Sequence, residues 1–278
     1  MDLIQWAISP VGSRVPIHIA WFLGWVCVAA AALFMVGHAI YVGVLAKPRK
    51  FAANDSPEVL ASISERVPRH SLVSRAFHWL MATSMFVLLI TAFLPKVGVR
   101  MNWVTCHWIA GLVLSALVLF HIVHASFFLD FMSIWPDMTD VRDMVRRLRL
   151  ALGWNSPLPN RFAKYPPENK LYHFLILCSG LAVIVTGLCM MKHVNTFGVL
   201  VRNPYIFGDM TWGLIYVLHG LAGVGLIALI MVHAYFGVRH EKLPITKSMV
   251  FGYMDREFFL EEHDPLRCRS VKNGTDQF

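Results

Sequence analysis

The stretch HWIAGLVLSALVLFH, which runs from His107 to His121, decides the fold of this chain. It carries no Asp, Glu, Lys or Arg between two histidines that are 14 residues apart. The stretch HGLAGVGLIALIMVH, from His219 to His233, repeats that spacing. At about 1.5 Å of rise and about 100° of rotation per residue, two such histidines lie roughly 21 Å apart on nearly one helix face. Both stretches are therefore predicted to be apolar helices with an imidazole near each end.

Uncharged apolar runs of this kind occur five times in the 278-residue chain. Each run has the roughly 20 apolar residues that a membrane-spanning helix needs. Hydrophobic residues make up 56% of the chain and charged residues only 15%, with a mean hydropathy of +0.55. The sequence therefore predicts an all-α integral membrane protein, a helix bundle with five spans. These predicted spans are Ile17–Leu45, Ala76–Leu94, Trp103–Leu129, Leu171–Met191 and Trp212–Val238.

The basic residues predict the orientation of these spans. Of the 25 Lys and Arg residues, 20 lie in the segments 46–75, 130–170 and 239–278. Because cytoplasmic loops carry the excess of Lys and Arg, the N-terminus is predicted to be periplasmic and the C-terminus cytoplasmic. The net charge of +8 is thus explained by membrane topology, and no nucleic-acid partner is expected.

The five cysteines exclude several kinds of metal centre. None forms a CxxC pair, so a thiolate zinc or iron–sulfur site is not expected. No CxxCH motif is present, so covalent c-type haem attachment is excluded.

The paired histidines instead indicate haem. Neutral imidazole is a common haem ligand, and two stacked haems held between helices need the axial separation that the 14-residue spacing provides. Gly111 and Gly223 each follow the first histidine of a pair by four residues and remove a side chain where a porphyrin face would lie. A transporter that uses membrane histidines and a haem-free membrane anchor are the alternatives. His18 and His38 are expected to have structural roles, with a third haem as the alternative.

For the haem nearer the cytoplasmic side, the inner haem, the residues alone leave two possible ligand pairs. His78 opens the second span in the motif Arg75-Ala-Phe-His78-Trp79 at a depth similar to that of His233. The local repeat, however, pairs His121 with His233. Either His78 or His121 is therefore a candidate partner of His233.

Arg75-x-x-His78-Trp79 resembles the first-helix motif of the formate dehydrogenase gamma subunit family. Cytochrome b subunits of nickel–iron hydrogenases and thiosulfate reductases are its relatives. The resemblance covers roughly 66–266. It continues at Lys164-Tyr165 with Asn169-Lys170, at Thr186-Gly187, at Leu218-His219, at Ile245-Thr-Lys-Ser-Met-Val-Phe-Gly252 and at His263-Asp-Pro265.

This resemblance implies a dihaem cytochrome b with a four-helix core and one extra N-terminal helix. His107 and His219 would ligate the outer b-type haem, and His78 and His233 the inner one. Menaquinone or ubiquinone would bind near the start of the fourth span, at Asn169, Lys170 and His173. Here Pro166 stands where the family often has Asn.

The implied role is that of an electron-transfer subunit of a quinone-linked respiratory complex in the bacterial inner membrane. The chain has no sequence signature of an iron–sulfur or catalytic metal centre, so such centres are expected in other subunits. An iron–sulfur or cytochrome subunit and a catalytic subunit would lie on the periplasmic side. The expected organisation is an extra helix and cytoplasmic linker at 1–65, the haem-binding domain at 66–240 and a cytoplasmic tail at 241–278.

One cytoplasmic segment stands out between the third and fourth spans. The segment Asp140–Leu152 carries Arg142, Arg146, Arg147 and Arg149 among apolar residues. It is predicted to be either a short helix lying on the anionic inner leaflet, with membrane lipid as partner, or a solvated loop.

Overall fold

The computed structural model describes residues 2–45, 61, 63–128, 131–265 and 268. Among these residues, five helices are long and apolar enough to cross a membrane. The five predicted spans are therefore confirmed, with boundaries that shift by a few residues. Leu129, the predicted linker at 46–60 and the tail end at 269–278 lie outside the described residues. The spanning segments are Phe22–Leu45, Leu72–Val97, Trp103–Phe128, Pro167–His193 and Asp209–Val238.

The α-helices of these segments are α1 (Phe22–Ile40), α2 (Leu72–Phe93), α3 (Trp103–Phe128), α5 (Pro167–Met190) and α6 (Asp209–Val238). A further helix, α4 (Met138–Ala151), follows the third span, and two short helices, α7 (Leu243–Phe251) and α8 (Arg256–Glu262), follow the fifth. Two small sheets complete the described fold. One is the hairpin of β1 (Ile4–Ile8) and β2 (Arg14–Ile19), and the other pairs β3 (Arg66–Pro68) with β4 (Tyr253–Asp255).

The start of the first span was predicted wrongly. The apolar run begins at Ile17, but Ile17 and His18 belong to β2, whose antiparallel partner is β1. The helix begins only at Phe22. His18 therefore lies in a strand and not in the spanning helix that carries His38.

The described chain folds as two compact units. The first comprises Met1–His38, Trp79–Leu119 and Ile176–Ala234, and the second comprises Ala39–His78, Phe120–Leu175 and Tyr235–Phe278. Each of the five spanning segments divides its residues between the two units.

In the first unit, β2 packs against α6. A Cβ at Gly213 would overlap the carbonyl oxygen of Pro16, and a Cβ at Gly220 would lie 3.1 Å from the side chain of Ile19. These glycines are seven residues apart and so share one helix face. Their missing side chains let the strand lie directly on the helix that carries His219.

In the second unit, the short sheet joins the segment before α2 to the segment after α7. Val67, Met254 and Phe259 form part of its buried apolar cluster. Gly252 ends α7 at φ 90°, and a Cβ there would lie 3.0 Å from the His70 carbonyl oxygen. Gly is favoured at this point because it adopts positive φ without a steric penalty.

A buried Arg–His pair links the same two segments. Arg69 Nη1 lies 3.3 Å from His263 Nε2, and His263 Nδ1 donates to the Ala163 carbonyl oxygen at 2.7 Å. The imidazole accepts from Arg69 through Nε2 and is therefore neutral. Burial, helped by the charge of Arg69, lowers the pKa of His263 to about 3.

Candidate haem site

The histidines that open the two matched stretches face each other in the first unit. His107 in α3 and His219 in α6 have ring centroids 6.3 Å apart, with planes inclined by 69°. A metal–imidazole nitrogen bond is about 2 Å long, so two imidazoles on opposite sides of one metal have their centroids roughly 6 Å apart. The separation of the two rings therefore fits two imidazoles that would together bind one iron.

Each of these imidazoles is held by a threonine from the preceding span. Thr91 Oγ1 lies 2.8 Å from His107 Nδ1, and both groups belong to the first unit. Thr186 Oγ1 lies 2.9 Å from His219 Nδ1 in the corresponding arrangement. Both threonine residues are buried.

The threonine bonds fix the tautomer of each ring. Thr91 donates its hydroxyl hydrogen to the Val87 carbonyl oxygen at 2.8 Å. Thr186 donates its own to the Ala182 carbonyl oxygen. Because a hydroxyl has only one hydrogen, each oxygen must accept a hydrogen bond from the Nδ1–H of its histidine. Nε2 then carries the free lone pair, which is the state that a metal-ligating imidazole needs.

Glycines next to the rings leave room for a flat cofactor. A Cβ at Gly187 would lie 3.3 Å from His219 Cε1, so a larger residue would press on the ring. At Gly111 a Cβ would meet only a Leu88 methyl group, at 3.9 Å. At Gly223 it would meet no heavy atom within 4 Å among the described residues. Donor set, ring separation and small residues together fit haem.

The model of the family described as prokaryotic cytochrome b561 matches residues 69–252. The chain belongs to this family. The match runs from the segment before α2 to the end of α7, and it includes both matched histidine stretches. A comparison with curated proteins found no match.

Membership of the cytochrome b561 family confirms the predicted class of protein. The chain is a multi-pass membrane cytochrome b of electron transfer, and proteins of this family bind b-type haem. The hairpin and α1 lie outside the matched range. A relationship to formate dehydrogenase, hydrogenase or thiosulfate reductase subunits in particular stays a prediction.

A second histidine pair of this cytochrome lies in the second unit. His121 of α3 and His173 of α5 have ring centroids 6.3 Å apart, inclined by 64°. His121 also stacks in parallel on Phe77, at 4.5 Å and 5°. The structure thus brings His121 to the predicted quinone residue His173, in a separation like that of His107 and His219.

The remaining predicted ligands are divided between the two units. His78 lies in the first two turns of α2 and belongs to the second unit, whereas His233, near the end of α6, belongs to the first. The pairing of His233 with His78 or with His121 stays a prediction. His124 stacks between Phe120 and Phe128.

The other two predicted quinone residues lie in the first turn of α5. Asn169 is exposed. Lys170 is buried and donates to Asp140 Oδ2 at 2.7 Å, so its ammonium group is already held by a carboxylate of α4. Asp140 Oδ2 also accepts from the Asp137 backbone N–H at 3.0 Å in the capping box of α4.

Sequence reasoning missed several of these groups. Thr91 gave no signal, because a lone threonine in an apolar span is unremarkable without its partner. A further polar contact in the first unit joins His193 Nδ1 to the Tyr216 hydroxyl at 2.8 Å, with the His193 ring 3.9 Å from that of Trp212. No spacing in the sequence predicts this contact, because His193 and Tyr216 lie on different segments and are 23 residues apart.

Proposed function

We propose that the chain is the membrane-anchoring cytochrome b subunit of a respiratory oxidoreductase complex in the bacterial inner membrane. It transfers electrons between a periplasmic partner subunit and membrane quinone through two b-type haems. The observation that carries the proposal is the His107–His219 pair, because its separation and its fixed Nε2 lone pairs suit one iron.

The proposed ligands are those that the motif resemblance implies, and the His107–His219 separation supports the outer set. His107 and His219 hold the outer haem. His78 and His233 hold the inner one, with His121 as the alternative partner of His233. A haem at such a site supplies reversible one-electron iron chemistry. Thr91 and Thr186 fix the ligand tautomers and orient the rings.

Menaquinone or ubiquinone is proposed to bind in the second unit, near Asn169, Lys170 and His173. The nearby His121 supports this location, since it offers a second imidazole to a carbonyl-bearing ring. The excess of Lys and Arg in the segments on this side supports a cytoplasmic location, with a periplasmic N-terminus. An iron–sulfur or cytochrome subunit and a catalytic subunit on the periplasmic side complete the proposed complex.

The first experiment is a reduced-minus-oxidised visible spectrum of the purified protein, together with its haem-to-protein ratio. A b-type band and two haems are expected. His107→Ala should lose one haem and keep the other, whereas His124→Ala, the control on the same helix, should keep both. A protein without a b-type band would refute the proposal and favour the haem-free anchor. Full haem content in His107→Ala would refute the ligand assignment.

A second experiment decides the inner ligand. His78→Ala and His121→Ala are made separately, and haem is counted in each. Loss of a haem in His78→Ala alone supports the proposed set. Loss in His121→Ala alone would replace His78 by His121.

A further inference from the structure

The surface helix α4 presents a continuous apolar stripe outwards. Met138, Val141, Val145 and Leu148 recur every three or four residues, and their exposed fractions are 75%, 48%, 43% and 61%. At about 100° per residue these four positions lie within an arc of roughly 80°. The chain continues with exposed Leu152 and Trp154. In a water-soluble domain the apolar stripe of a surface helix faces the protein core, whereas the stripe of α4 faces outwards.

The polar side of α4 is directed at the protein instead. Asp140 and Asp143 are 5% and 3% exposed. Asp140 binds Lys170, as described above. Arg147 binds Glu168 at 2.8 Å, and its guanidinium lies 4.4 Å from the Phe162 ring centroid. These contacts fix the rotation of α4 about its axis, so the outward position of the stripe is imposed by the fold.

Two arginines flank the stripe on one side. Arg142 and Arg149 are both exposed. On a helical projection they lie within about 40° of Met138, at the edge of the apolar arc. A helix with an apolar face and basic residues at its border is the arrangement that binds an anionic membrane surface.

The position of α4 in the chain favours lipid over other occupants. It follows the third spanning segment and precedes the fourth, and its connections to α3 and α5 are nine residues (129–137) and 15 residues (152–166) long. The spanning helices on its two sides, α3 and α5, end at the surface of the bilayer, so α4 lies close to that surface. We propose that α4 is an interfacial helix that inserts Met138, Val141, Val145 and Leu148 among acyl chains and binds anionic phospholipid headgroups through Arg142 and Arg149.

The test places a spin label on each border of the stripe. Leu148→Cys and Arg149→Cys are made in the full chain after its five native cysteines are replaced, and each is labelled in nanodiscs of phosphatidylcholine and phosphatidylglycerol. Accessibility to oxygen, which partitions into lipid, is compared with accessibility to a water-soluble nickel chelate. The oxygen-to-nickel ratio should be several-fold higher at 148 than at 149. Val141→Cys and Arg142→Cys give a second matched pair if one of the first variants does not fold.

Three results would overturn the proposal. Equal nickel accessibility at 148 and 149 means that the stripe is solvated. Shielding of position 148 from both reagents means that a protein surface or a second copy covers it. The third result concerns the anionic lipid. We expect the oxygen-to-nickel ratio at 148 to fall when phosphatidylglycerol is omitted, and we expect the double variant Arg142→Gln with Arg149→Gln to abolish that dependence. A ratio that ignores the anionic lipid refutes the headgroup contact.

Discussion

Replacing Thr186 by valine tests how the outer haem ligand is held. The substitution keeps the branched shape at this position but removes the oxygen that accepts a hydrogen bond from His219 Nδ1 at 2.9 Å. His219 then keeps a ring N–H without that partner, and the preference for the tautomer with a free Nε2 is weakened. The expected effect is weaker binding of haem by an otherwise folded protein.

The size of the effect follows from the single bond removed. Leaving one buried donor unsatisfied costs about 1–3 kcal/mol. Loss of a residue that orients a metal-ligating histidine lowers metal affinity by about 10- to 100-fold. Since each tenfold change in affinity corresponds to about 1.4 kcal/mol, the two ranges agree. Thr186→Val should therefore release one haem about 10 to 100 times faster than the unaltered protein.

The assay is transfer of haem to an excess of a haem-scavenging apoprotein, followed by the Soret band. Thr186→Ser keeps the hydroxyl and should restore slow release. Thr83→Val is the matched control, because the Thr83 hydroxyl donates to the Trp79 carbonyl oxygen of its own helix. Unchanged release from Thr186→Val, or equally fast release from Thr83→Val, would refute the assigned role of the threonine.

Two further predictions concern stability in the second unit. Lys170→Met leaves the buried Asp140 carboxylate without its ammonium partner and should lower the free energy of unfolding by about 3–5 kcal/mol, much of which Asp140→Asn should restore in a double-mutant cycle of denaturation in detergent. An additive cycle would contradict this. Because the pKa of His263 is lowered to about 3 by burial and Arg69, the unfolded chain binds the extra proton below its ordinary pKa near 6.5. Stability should therefore fall as the pH drops from about 6 towards 3, by up to about 1.4 kcal/mol per pH unit from this residue; His263→Gln should lose that part of the slope, and an unchanged slope would show that His263 is not its source.

The boundaries of the spans show where sequence reasoning was sufficient and where it was not. Apolar runs predicted all five helices because hydropathy is local and a span must satisfy its backbone hydrogen bonds within itself. The first run still misplaced a boundary. Ile17 and His18 are apolar or uncharged, as a span requires, but they lie in β2, where His18 pairs with Gln5 of β1. Hydropathy alone does not distinguish a strand at the end of such a run from the helix that follows it.

The surface helix shows the same division. The alternation of arginines with apolar residues led to two predictions for Asp140–Leu152, a helix on the membrane or a solvated loop. The structure decides in favour of a helix, and the capping box of Asp137 and Asp140 supplies its local cause. Which face turns outwards depends on Lys170, 30 residues further along the chain, and no local pattern contains that contact.

The sequence by itself determined the membrane class, the five spans and the repeated 14-residue histidine spacing, since each follows from composition or from the period of one helix. The family resemblance already implied that His107 pairs with His219. Only the tertiary structure decided that His121 lies beside His173, and that Thr91 and Thr186 fix the tautomers of His107 and His219. Those contacts join different helices, 16 and 33 residues apart in the threonine bonds. The rotation of each helix about its own axis sets them, and in an apolar span that rotation depends on packing against neighbouring helices rather than on its own sequence.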